Sequence, residues 1–173
     1  MNRGSASIAR GKKTRSGFTL LEIMVAVSVL GIALAALTST QFTSVALSRS
    51  IRETSAAADA AQAVMEAIRD EDDFKAIYAN WSGTAFDVEG LTPVEGDPDG
   101  RVGEVVFPGT ANKLREDGND RTLGMPRDLD LDKNIDGADH SGNYRILPML
   151  VRVRWSGARG TQQIQLVGTL AER

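Results

Sequence analysis

The sequence predicts an α+β protein: a long N-terminal α-helix, membrane-spanning over its first half, that carries a small antiparallel β-sheet head. Three observations lead there. Residues 18–37 form an apolar run in which only Thr19, Glu22 and Ser28 carry polar side chains. Residues 38–69 continue without glycine or proline and are rich in alanine, a strong helix former. Towards the C-terminus, Val151, Val153 and Trp155 alternate with Arg152 and Arg154, and Ile164 and Leu166 with Gln163 and Gln165. That period of two marks strands with one buried face.

Residues 1–17 contain Arg3, Arg10, Lys12, Lys13 and Arg15 and no acid, although the 173-residue chain has a net charge of −3. The acidic excess therefore falls on the remainder. A helix of about twenty residues spans about 30 Å, the hydrocarbon thickness of a bilayer. A basic leader before such a run belongs on the cytoplasmic side. An acidic body is a poor match for nucleic acid, whose phosphates call for basic patches, so no nucleic-acid partner is expected. The sequence has no cysteine, which excludes disulfides and thiolate chemistry. His140 is the one histidine, and neither a G-x-S-x-G elbow nor a phosphate-binding glycine loop occurs. The expectation is a protein that is not an enzyme.

A secretory signal peptide would place its apolar core before the cleavage site. Here the small-x-small sequence Ala33-Leu34-Ala35 lies inside the run, and a glycine stands at its entry. Glu22 adds a charge five residues into the run, where an ionisable group is costly and by default functional. A plain single-pass anchor needs neither feature.

The stretch Gly17-Phe18-Thr19-Leu20-Leu21-Glu22-Ile23-Met24-Val25-Ala26 resembles the class III signal of type IV pilins and of type II secretion pseudopilins. The resemblance implies that a prepilin peptidase cuts between Gly17 and Phe18 and methylates the new amino terminus. It implies a cleaved leader, residues 1–17, and a pilin-like fold. It also implies that Phe18 and Glu22 serve assembly, with the carboxylate meeting the free amine of a neighbouring subunit's Phe18. The expected partners are other pilins or pseudopilins through the N-terminal helix, the prepilin peptidase and the bacterial inner membrane. The chain would be single-pass, N-terminus cytoplasmic and head periplasmic, before entering a pilus or pseudopilus. Major pilins often carry a proline at the place of Ser39. Its absence here, and a looser resemblance over Met65-Glu66-Ala67-Ile68-Arg69, lean towards minor pilins of the pilus-modification group. A minor pseudopilin is the alternative within the family, and a membrane-anchored, calcium-dependent adhesion module the alternative outside it.

The long helix is expected over residues 18–72, with residues 18–37 as the membrane and assembly segment and residues 73–173 as the head. Phe42, Val45, Ala57, Ala61, Val64, Met65 and Ile68 recur at helical spacing and predict one apolar face. The acids at 70–73 suit a helix N-terminus better than a C-terminus, so Asp72 or Asp73 should cap a short helix over residues 74–81. Phe74, Ile77, Tyr78 and Trp81 would form its apolar side, a lid on the core, and Gly83 would stop it. Short strands are expected at 85–88 and 102–107, with loops at 91–100 and 108–127. The strand at 102–107 should join the C-terminal hairpin in a sheet of at least three strands. One face of that sheet would rest on the helix, and the other would show its arginines and glutamines to solvent.

One constellation remains. Asp128, Asp130, Asp132, Asp136 and Asp139 fall at positions 1, 3, 5, 9 and 12 of a twelve-residue window, with Ile135 at position 8. This is similar to the calcium loop of EF-hand and dockerin modules, which implies oxygen ligation of Ca2+, the Asn134 carbonyl taking position 7. Lys133 departs from the glycine expected at position 6, and Asp139 is shorter than the usual bidentate glutamate. A second register from Asp132 restores a glycine at Gly137 but ends on Asn143. The alternative is a solvated acidic loop of turn-forming residues.

Overall fold

The computed structural model describes residues 17–110, 112–158 and 160–172. The expected leader lies outside them except for Gly17. Two compact units divide the chain, the first ending at Ser44 and the second beginning at Val45. Helix α1, Leu20–Arg69, runs through that division.

In the first unit Thr19 caps α1. The Glu22 N–H donates to Thr19 Oγ1 at 3.3 Å, and the Ile23 N–H to the Thr19 carbonyl at 3.2 Å. Beyond the cap every side chain described up to Ser44 is exposed. The helix is long and apolar enough to cross a membrane. Its hydroxyls are satisfied internally: Ser28 Oγ donates to the Met24 carbonyl at 2.8 Å, and Thr38 Oγ1 to the Leu34 carbonyl at 2.8 Å. Such bonds to the preceding turn let a hydroxyl sit in hydrocarbon without an orphan donor.

In the second unit the later turns of α1 carry Ala57, Ala61, Met65 and Ile68, all buried. Their spacing of three and four residues places them on one helix face. The expected face is shorter than predicted, because Val45 stays 69% exposed, and Phe42, in the first unit, is 74% exposed. In the second unit the apolar stripe turns inward only from Ala57.

After Arg69 the Asp73 carboxylate accepts the Lys75 N–H at 2.9 Å and caps a 3-10 turn, Phe74–Ala76, which leads into α2, Ile77–Trp81. Their aromatic rings close over the core as expected. Phe74 lies 5.0 Å from Tyr144 and Tyr78 5.6 Å from Phe107 between ring centroids. Tyr78 Oη donates to the Thr110 carbonyl at 2.6 Å, so the buried phenol keeps a partner.

The sheet is antiparallel and four-stranded, in the order β1 (Ala85–Phe86), β2 (Gly103–Val106), β5 (Ile146–Gly157), β6 (Gly160–Ala171). Strands β5 and β6 pair over their whole length, from Ile146↔Ala171 to Gly157↔Gly160. The hairpin is thus longer than its alternating core suggested. Leu147, Met149 and Leu150 break the alternation in the sequence because both sides of β5 are buried there. Consequently the outer face is only partly solvated. Gln163 and Gln165 are exposed, but Leu150 is buried, Arg152 pairs with Glu104 at 3.3 Å and Arg154 with Asp97 at 2.7 Å. On the inner face Trp155 Nε1 donates to Glu53 Oε2 at 3.4 Å, and a Cβ on Gly168 would lie 3.2 Å from Met65 Sδ and 3.3 Å from Met149 Cε, a tight fit.

Between β2 and β5 the expected loop at 108–127 contains a small hairpin, β3 (Gly109–Thr110) and β4 (Lys113–Leu114). Gly109 has a φ of 100°, and a Cβ there would lie 2.3 Å from the Lys113 carbonyl oxygen, so this turn requires glycine.

Replacing Ile68 with alanine should destabilise the head by about 2–5 kcal/mol, the usual cost of an aliphatic cavity. Phe42→Ala should change stability by less than about 0.5 kcal/mol, as at an exposed site. Urea unfolding in detergent, followed by Trp81 and Trp155 fluorescence, measures both.

Candidate functional site

Two regions carry the residues singled out in the sequence. The first is the start of α1. Gly17 and Phe18 precede the helix and are exposed. A Cβ on Gly17 would meet nothing within 4 Å, so the fold itself sets no demand for glycine there. Thr19 and Glu22 stand at the first and fourth positions of a Thr-x-x-Glu capping box, in which Thr19 Oγ1 satisfies an orphan N–H of the first turn. This local role of Thr19 was present in the sequence as that spacing and was missed. It also gives Glu22 a second function, since a carboxylate in the first turn complements the positive end of the helix dipole.

The second region is the acidic loop. Its carboxylates are engaged chiefly with their own backbone. Asp128 accepts the N–H of Leu131 at 2.6 Å and of Lys133 at 2.8 Å. Asp130 accepts the Asp132 N–H at 3.1 Å, Asp132 the Asn134 N–H at 2.7 Å, and Asp136 the Ala138 N–H at 2.7 Å. Lys133 adopts a φ of 73°, the left-handed conformation for which position 6 ordinarily uses glycine. The chain therefore makes the turn despite its lysine. Ile135 at position 8 is 47% exposed rather than packed in a core.

The centre of this region is a residue the sequence reading passed over. Glu116, two residues past β4, is 1% exposed. Its Oε1 accepts the N–H of Leu129 at 2.5 Å and of Asp130 at 3.3 Å, and its Oε2 the Asp136 N–H at 3.4 Å. His140 packs beside it, with Nε2 3.6 Å from Glu116 Oε2 and 3.2 Å from Asp136 Oδ1, and Nδ1 3.4 Å from Asp130 Oδ2. Burial pulls the His140 pKa down, but the Asp136 hydrogen bond and the charges of Glu116, Asp130 and Asp136 outweigh it, so the pKa lies above the ordinary 6.5. Asp136 is held below the usual carboxylate range, first by the Ala138 N–H and then by His140.

Among the described residues two sets bring one ligand atom each within 4.8 Å of one another: Glu116, Asp128 and Asp130, and Glu116, Asp136 and His140. Of the five expected aspartate ligands, Asp128, Asp130 and Asp136 thus gather on Glu116, and Asp132 and Asp139 do not join those sets. Asp132 faces the Asn134 N–H. Asn134 Nδ2 donates to Asp136 Oδ2 at 3.3 Å. Asp139 Oδ1 takes the Leu114 and Ser141 N–H groups, each at 3.1 Å, and so ties the loop to β4. Nothing in the spacing pointed to Glu116, because it lies outside the twelve-residue window. An isolated glutamate in a polar connection has no sequence signature of burial.

Neither the comparison with curated proteins nor that with solved structures gave a significant match. Residues 12–38 match the model of the prokaryotic N-terminal methylation motif. With the exposed apolar start of α1 and an antiparallel sheet following it, that match gives this chain the class III N-terminal signal typical of type IV pilins and pseudopilins.

Proposed function

We propose that this protein is a minor pilin, a structural subunit that helps to initiate or cap a type IV pilus. The observation that carries this reading is the methylation motif at residues 12–38, which runs into a helix whose described side chains are exposed up to Ser44. The peptidase cuts after Gly17 and methylates Phe18. The mature helix waits in the inner membrane with its head in the periplasm. On assembly, residues 18–37 exchange lipid contacts for contacts with the helices of neighbouring subunits. Glu22 then pairs with the amine of a neighbour's Phe18. A charge within a membrane helix is costly, up to about 2.5–3.5 kcal/mol at the centre by insertion scales and less near the end where Glu22 stands, and this pairing offsets that cost. Because each pair joins one subunit to the next, it also sets their axial register. The minor pseudopilin of a type II secretion system is the alternative, since the same helix serves either fibre. The two separate on which process fails when the gene is deleted, surface piliation or secretion of folded exoproteins.

Mass spectrometry of the membrane-extracted protein should show a chain that begins with N-methylated Phe18. A Gly17→Val variant should retain the leader with unchanged head stability, because a Cβ at Gly17 meets nothing. An unprocessed wild-type chain starting at Met1 would defeat the reading.

Glu22→Ala should insert and be processed, yet fail to enter fibres, with a loss of roughly tenfold or more in the surface fraction if the pair contributes above about 1.4 kcal/mol. Immunogold counting on sheared fibres measures it. Normal incorporation of the alanine variant would remove the assembly role of Glu22.

A further inference from the structure

We propose that the head binds Ca2+ in a discontinuous site, in which Asp128 and Asp130 of the acidic loop are completed by Glu116 rather than by Asp139. In a continuous calcium loop the residue at position 12 turns a bidentate carboxylate back onto the ion. Asp139 occupies that position here, but among the described residues it joins neither set of converging ligand atoms and instead ties the loop to β4. Glu116 reaches the same place from outside the window. Its side chain is one methylene longer than that of Asp139 and matches the glutamate usual at that position. Its Oε1 holds the N–H of Leu129, the second residue of the loop, and it shares a ligand set with Asp128 and Asp130.

A separate observation points to a ligand. His140 is 5% exposed, and among the described residues its Nδ1 has no hydrogen-bond partner. That nitrogen sits 3.4 Å from Asp130 Oδ2, at the edge of the carboxylate set. A buried polar atom without a partner is costly. Calcium commonly retains water among its six to eight oxygen ligands, and water carried on the ion supplies the missing partner. The all-oxygen set of Glu116, Asp128 and Asp130 suits a hard cation of flexible geometry. A borderline cation such as Zn2+ would instead take the imidazole. The proposal does not depend on the chain being a pilin.

The test uses the full chain in detergent micelles, stripped with EDTA and titrated with CaCl2 by calorimetry, with thermal unfolding followed by circular dichroism. The expected result is saturable Ca2+ binding with a rise in melting temperature. Glu116→Gln and Asp128→Asn should each weaken binding roughly tenfold or more, while Asp139→Asn should stay within about threefold of the wild type. Should Glu116→Gln fail to fold, the pair Asp128→Asn and Asp139→Asn decides. Equal loss in those two means that the loop closes on Asp139, and overturns the proposal. The absence of heat and of a thermal shift at millimolar Ca2+ overturns it too, as does a site that takes Zn2+ and loses it in His140→Ala while ignoring Ca2+.

Discussion

The constraint on which the rest depends is the unpaired apolar surface at the start of α1. Between Phe18 and Leu37 twelve large apolar side chains are more than half exposed. Removing each from water contributes about 1.5–3 kcal/mol, so leaving them there would cost on the order of 20 kcal/mol or more. A folded domain has only about 5–15 kcal/mol of net stability. No head could carry that surface through water. It must always be covered, by lipid or by other helices, and every step of the chain's history has to pass it from one cover to another. The internal hydroxyl bonds of Ser28 and Thr38 serve the same constraint, because they leave this surface nearly free of unmet polarity.

Glu22 is the exception, and its position makes sense of it. It lies in the first turn, where unsatisfied N–H groups concentrate partial positive charge. Cleavage after Gly17 would add a charged amine only two residues before the helix. Thr19 and Glu22 then answer the same excess, one by accepting a backbone N–H, the other by its charge. The carboxylate is tolerated in the run because the helix end already favours it. It stays available to a second amine because its side chain is exposed.

The legible parts of the chain were those with a period. The helix, the C-terminal hairpin and the short capped helix after Asp73 were predicted from patterns that repeat every 3.6 or two residues. The misjudged parts were those where burial is decided at a distance. Phe42 and Val45 carry the helical spacing but are exposed, each within its own unit, so sequence alone extended the apolar face too far. Leu147 and Leu150 hid the start of β5 because both faces are covered there. The hairpin of β3 and β4 has two residues per strand, too few for any alternation to show. In the acidic loop the spacing of the aspartates was readable, whereas Glu116 was not, since its burial arises from a contact across thirteen residues with Leu129.

The connection from β4 to β5 has little regular structure, and its acids are what replace it. A backbone without a ladder must find other acceptors for its N–H groups. Here Glu116, Asp120, Asp128, Asp130, Asp132, Asp136 and Asp139 all accept backbone N–H donors, and the Leu129 carbonyl receives those of Arg145 and Ile146 at the start of β5. Asp139 thus ties the loop to β4, and the Leu129 carbonyl ties it to the start of β5. Concentrating so many charges has a cost of its own, because like charges at short range repel. His140, set among Glu116, Asp130 and Asp136, offsets part of that repulsion while it carries a proton. A calcium ion would offset more and would cross-link the same groups. The arrangement that lets acids act as backbone caps is thus one in which a bound cation would be stabilising, and the two readings of the loop follow from it.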